Sequence, residues 1–211
     1  MLDADAGWGA RWARAAARAE GLTDLGIGDA VRRYYVVYLP VIVLVAIGST
    51  FVFASLWPPA PGSLLVAAVA SGLMMGGLAS SIAGLVYASK KIGPKVQPRR
   101  IGVTVGLTAD EAKRVRRQIF GRDPVEDDLR VLRAAAVQTR EGLGRQLVIS
   151  PPLMLLFLGQ AMSRGVTSPL DVIMLAALLG MMVAMAFVVR EFHQTGAFIA
   201  TTATPAADDL M

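Results

Sequence analysis

Four apolar stretches, residues 36–57, 63–88, 147–163 and 170–189, constrain this chain more than any other feature. Each is close to the roughly 20 residues that a helix needs to cross a hydrocarbon core, where only structures that satisfy their own backbone survive. Hydrophobic residues make up 55% of the sequence, above the roughly 45–50% of soluble domains, and the excess sits in these stretches. Asp171, at an edge, is the only Asp, Glu, Lys, Arg or His within them, so the buried charge that marks a proton relay or ion path is missing. The expected fold is all-α: an integral membrane four-helix bundle of two helical hairpins with a cytoplasmic helical-hairpin insert.

Charge gives the expected orientation. Of 21 Lys and Arg, five precede the first stretch and fourteen lie between the second and third. Loops rich in these residues stay on the cytoplasmic side. The segments are then a cytoplasmic N-terminal helix and joint (1–35), a first transmembrane hairpin (36–88), a cytoplasmic insert (89–146), a second hairpin (147–190) and a cytoplasmic tail (191–211). Residues 1–35 are too long and too acidic for a signal n-region, so the first span is expected to be retained. The net charge of +5 follows from this loop bias and calls for no nucleic acid.

The first twenty residues form an alanine-rich helix with Trp8 and Trp12 on one side and Arg11, Arg14 and Arg18 about a quarter-turn away. That arrangement suits a helix lying among anionic lipid headgroups. The competing expectation is that the Trp pair packs on the chain's own insert. Residues 21–28 read as a flexible joint, followed by a basic and aromatic belt of Arg32, Arg33, Tyr34, Tyr35 and Tyr38.

Within the second stretch Ala68, Gly72, Gly76, Ser80 and Gly84 recur at four-residue spacing, a strip of small side chains that lets a neighbouring helix approach closely. Ala176, Gly180 and Ala184 repeat the pattern in the fourth. The third is interrupted by Pro151-Pro152, which predicts a kinked, tilted or short span. Its Gln160 is the one amide well inside a span, expected to bond a neighbouring helix or, in a transporter, a substrate. The tail after Phe198 reads as disordered.

In the insert, Thr108-Ala-Asp-Glu111 is a capping box and Gly121 a stop; Asp123-Pro124-Val-Glu126 then predicts a second helix ending at Gly142. Val115, Ile119, Leu129, Leu132 and Ala136 supply narrow apolar faces. A DNA-binding reading fails on charge, because the second helix would present Asp123, Glu126, Asp127 and Asp128 to phosphates. With no cysteine and a single His193, a metal centre of thiolates or several histidines is excluded. No phosphate loop, nucleophile elbow or HExxH motif is present, so neither enzymatic activity nor a cofactor is expected.

Two runs, Leu107-Thr-Ala-Asp-Glu-Ala-Lys-Arg-Val-Arg-Arg117 and Gly121-Arg-Asp-Pro-Val-Glu-Asp-Asp128, resemble the cytoplasmic helical pair of small uncharacterised four-span membrane proteins of high-GC Gram-positive bacteria. The resemblance implies a plasma-membrane location and carries over no catalytic or binding residue. The expected function is a non-enzymatic membrane scaffold or accessory subunit, with a membrane protein partner or a second copy of itself. The alternative is a small oligomeric transporter or channel.

Overall fold

The computed structural model describes residues 2–57, 63–97, 102–164 and 167–202. Its elements are α1 (Leu2–Ala19), β1 (Thr23–Asp24), α2 (Ile27–Leu56), α3 (Leu64–Lys95), β2 (Val96–Gln97), α4 (Ala109–Ile119), α5 (Leu129–Arg164) and α6 (Pro169–Thr201). α2, α3, α5 and α6 are long and apolar enough to cross a membrane, the make-up of a multi-pass membrane protein. The chain divides into two compact units. One, here the apolar unit, is Asp29–Lys91 with Arg145–Val189; the other, the polar unit, joins Met1–Gly28, Ile92–Gly144 and Arg190–Met211.

In the apolar unit α3 is the helix that its neighbours approach most closely. Ser63 caps its start, accepting from the Val66 N–H. Ala68, Gly72, Gly76, Ser80 and Gly84 are all buried. A Cβ added at Gly72 would lie 2.6 Å from the Ile47 backbone, and one at Gly76 3.3 Å from Ala46 and Val43. Thr50 Oγ1 lies 2.9 Å from the Ala68 carbonyl oxygen across the same helix pair. On α5, Leu156 and Pro152 come so near that a Cβ at Gly77 would sit 2.6 Å from the Leu156 nitrogen, and one at Gly159 2.5 Å from the Ala70 carbonyl. Between helices in lipid such backbone approach is the main source of packing energy, because the hydrocarbon around them is as apolar as their side chains.

α5 corrects two expectations. It begins at Leu129, not near Asp123, and it runs without interruption through Gly142 and Pro151-Pro152 to Arg164. Asp128 starts it, accepting from the Arg130 N–H at 2.9 Å while its carbonyl accepts from Leu132 at 3.0 Å. A glycine stops a helix by taking a positive φ; Gly121 does so at +65°, whereas Gly142 does not. The two prolines free the carbonyls four residues back, those of Leu147 and Val148. The Tyr35 hydroxyl donates to the Leu147 carbonyl at 2.5 Å, and the Val148 carbonyl lies against Gly84, where a Cβ would be 2.7 Å away. The helix survives its prolines because α2 answers one carbonyl and α3 makes room for the other.

The polar unit also departs from expectation. Residues 21–28 are not a loose joint. β1 pairs antiparallel with β2, Thr23 opposite Gln97 and Asp24 opposite Val96, and Leu25 N–H donates to the Lys95 carbonyl at 2.8 Å. Asp24 Oδ1 accepts from Gly26 and Ile27 N–H at 2.9 and 2.8 Å, capping α2. α4 carries its capping box: Thr108 Oγ1 accepts from Glu111 N–H, and Glu111 Oε2 from Thr108 N–H. Val103, Val115, Ile119, Val131, Leu132 and Ala136 are buried, while Leu129 is exposed. The expected tail begins as helix: α6 continues to Thr201, with Phe192 and Thr195 buried. The expected disorder at 203–211 lies outside the described residues.

Candidate functional site

The polar unit is where charged side chains converge, and most of them are held by one another. Glu111, 4% exposed, closes the α4 capping box and also meets Arg11 of α1 at 3.0 Å. The Arg11 guanidinium first, then the Thr108 N–H, hold its carboxyl at about 2 instead of 4.5, against the opposing effect of burial. Arg18 donates to the Val105 carbonyl. α1 is thereby fastened to the 102–119 segment at two points. Its inward side is Trp12, Ala15 and Ala19, all buried, whereas Trp8 is 46% exposed. The two indoles touch at 5.9 Å between centroids, but only Trp12 is enclosed.

Arg140 of α5 is the second point of convergence. Its Nη1 donates to Asp24 Oδ2 at 2.5 Å, and its guanidinium carbon lies 5.0 Å from the Phe192 ring centroid. Gly28 and Gly196 leave room for it: a Cβ at either would come within 2.9 and 3.0 Å of the guanidinium. One arginine therefore ties the segment before α2, the middle of the chain and the end of α6. Nothing in the sequence marks Arg140 apart from the other basic residues around it. The signal that could have found it is the pair of glycines 28 and 196, each at a point where no turn needs one.

On the outside of α4 a groove is lined by Lys113, Arg116, Arg117, Phe120 and Arg122. Arg116 pairs with Glu191 at 3.3 Å and lies 5.6 Å from the Phe120 ring centre; Arg117 pairs with Asp123 at 3.1 Å. Lys113 and Arg122 form no ion pair among the described residues. Gln118 reaches past the turn to Asp127 at 3.0 Å, so that acid is occupied in structure. Among the described residues no group of three or more His, Cys, Asp and Glu is arranged to hold a metal ion.

The remaining sequence-selected residues separate. Arg14 is exposed on α1. Ala68, Gly72, Gly76, Ser80 and Gly84 meet neighbouring helices as described. Ala176, Gly180 and Ala184 do not: all three are exposed, and a Cβ at Gly180 would meet nothing within 4 Å. α6 instead buries Leu178 and Met185, so that small-residue strip points away from the packed interior of its unit. Gln160 is half-buried, its side chain forms no hydrogen bond among the described residues, and its backbone carbonyl accepts from Ser163 Oγ at 2.9 Å. Asp171 caps α6, accepting from the N–H and hydroxyl groups of Thr167 and Ser168. No protein-family model, no curated protein and no solved structure matches the chain.

Proposed function

We propose that this protein is a non-enzymatic scaffold or accessory subunit of the plasma membrane, with both termini and the polar unit on the cytoplasmic side. The observation that carries the reading is the groove on α4, whose Lys113 and Arg122 form no ion pair among the described residues while Arg116 and Arg117 are paired with Glu191 and Asp123. A preformed basic groove with an aromatic floor at Phe120 suits an acidic segment of a membrane protein partner, with specificity from charge placement. The uneven distribution of Lys and Arg supports the orientation.

The test is purification of the full-length protein in mild detergent with mass spectrometry of what accompanies it. A partner in fixed ratio is expected with the wild type and lost with Lys113→Glu/Arg122→Glu. A self-contained oligomer unaffected by that variant would overturn the reading in favour of the transporter or channel. Orientation is read independently in a chain without native cysteine: Pro61→Cys should react with an impermeant maleimide in intact cells, and Arg122→Cys only after permeabilisation.

A further inference from the structure

The start of α2 and the end of α3 are fixed beside one another by tyrosines. Tyr87 Oη donates to the Ala30 carbonyl at 2.8 Å, and the Tyr87 ring meets those of Tyr34 and Tyr38 at 5.3 and 5.0 Å between centroids. Both helices widen here into a π-helical turn, Tyr34–Tyr38 and Ala88–Ile92. Arg32 and Arg33 follow Ala30 within a turn, and Lys90 and Lys91 follow Tyr87 within about a turn. All four are exposed and form no ion pair among the described residues. The only carboxylate on 29–38 or 85–92 is Asp29. Just along the same helices, Val36, Val37, Leu85 and Val86 are exposed apolar residues.

Two exposed basic pairs, one on each of two helix ends that Tyr87 holds in contact, with exposed valines and a leucine next along the same helices, match an amphiphile with an anionic head. We propose that the mouth of this hairpin binds one anionic phospholipid. Arg32, Arg33, Lys90 and Lys91 take the headgroup phosphate, and an acyl chain lies along Val36, Val37, Leu85 and Val86. Guanidinium forks suit phosphate oxygens, and ammonium groups add unoriented charge. The groove on α4 is a poorer phosphate site because Arg116 and Arg117 already hold carboxylates. This inference rests on α2 and α3 crossing a bilayer. It is independent of the scaffold reading and of which side the hairpin mouth faces.

The experiment uses the full-length protein in nanodiscs of phosphatidylcholine with and without phosphatidylglycerol, read by thermal stability and by native mass spectrometry of retained lipid. Phosphatidylglycerol should be retained in preference and raise the Tm. Each cation near an anionic surface is worth about fivefold in binding, so Arg32→Gln/Arg33→Gln/Lys90→Gln/Lys91→Gln should lower retention by more than about a hundredfold and abolish the Tm difference. Lys90→Arg/Lys91→Arg should keep both. Should the quadruple variant fail to fold, Arg32→Gln/Lys90→Gln should still lower retention by roughly 25-fold. Undiminished retention in these variants, or an equal loss in Lys113→Gln/Arg122→Gln, would overturn the site. Inorganic phosphate reproducing the Tm rise in phosphatidylcholine alone would overturn the lipid as occupant.

Discussion

The apolar and polar units solve the same problem by opposite means. In the apolar unit the decisive atoms are missing ones: Gly72, Gly76, Gly77, Gly84 and Gly159 let backbones meet, and the hydrogen bonds between helices go to carbonyl oxygens, from Tyr34, Tyr35, Thr50 and Tyr87. In the polar unit the decisive atoms are long side chains, Arg11, Arg18 and Arg140, which reach from one segment to another. The difference follows from the solvent. Where the surroundings are hydrocarbon, burying a large apolar side chain gains little and close contact gains more. Where they are water, long charged side chains can join segments around a small core of valines and alanines, and a charge so enclosed must stay paired because removing its partner leaves it uncompensated.

Arg140→Ala should be the most damaging change if that comparison is right, because it leaves the Asp24 carboxylate, 6% exposed at the side chain, enclosed without its cation. A loss of about 3 kcal/mol is expected, partly restored by Asp24→Asn in the same chain and measured as a double-mutant cycle in detergent. Additive losses would deny that the pair holds the polar unit together.

Next comes the apolar unit. Gly77→Ala puts a methyl 2.6 Å from backbone and should cost about 1–3 kcal/mol, while Gly180→Ala, with nothing within 4 Å, should be neutral. Equal Tm values for the two would remove close approach as the packing principle. Tyr35→Phe should cost about 1 kcal/mol by orphaning the Leu147 carbonyl, and Tyr38→Phe less, since the Tyr38 hydroxyl forms no hydrogen bond among the described residues.

The remaining comparison concerns Glu111 and is read against pH. Its carboxyl is held at about 2 in the folded chain instead of 4.5, so it stabilises fully above pH 4.5 and that stabilisation is lost as pH falls towards about 2. The wild-type Tm should drop across this window and the Glu111→Gln Tm should fall less. Parallel curves would place the acid sensitivity elsewhere.

What the sequence makes legible is local. The four apolar helices, the Thr108–Glu111 capping box and the Gly121 stop each depend on residues within a turn or two of one another. The continuity of α5 was not legible, because the group that answers the Leu147 carbonyl is Tyr35, 112 residues away. Four-residue spacing defines a helix face but not its direction, which is why one small-residue strip lies inside and the strip at 176–184 lies outside. Arg140 and Asp24 carry no mark in the sequence for the same reason: the pair joins segments 116 residues apart. The basic character of the α4 groove was visible, but which of its cations would be neutralised was set by Glu191, far along the chain.

The Tyr35 bond also bears on the order in which the chain is made. Tyr35 leaves the ribosome well before Pro151, so the hydroxyl is already in place when the carbonyl of Leu147, freed by that proline, needs a donor. The second hairpin is thus a client of the first during biogenesis. Expressed as two fragments, residues 145–211 should insert stably only when residues 1–97 are co-expressed, and a Tyr35→Phe first fragment should rescue them less well.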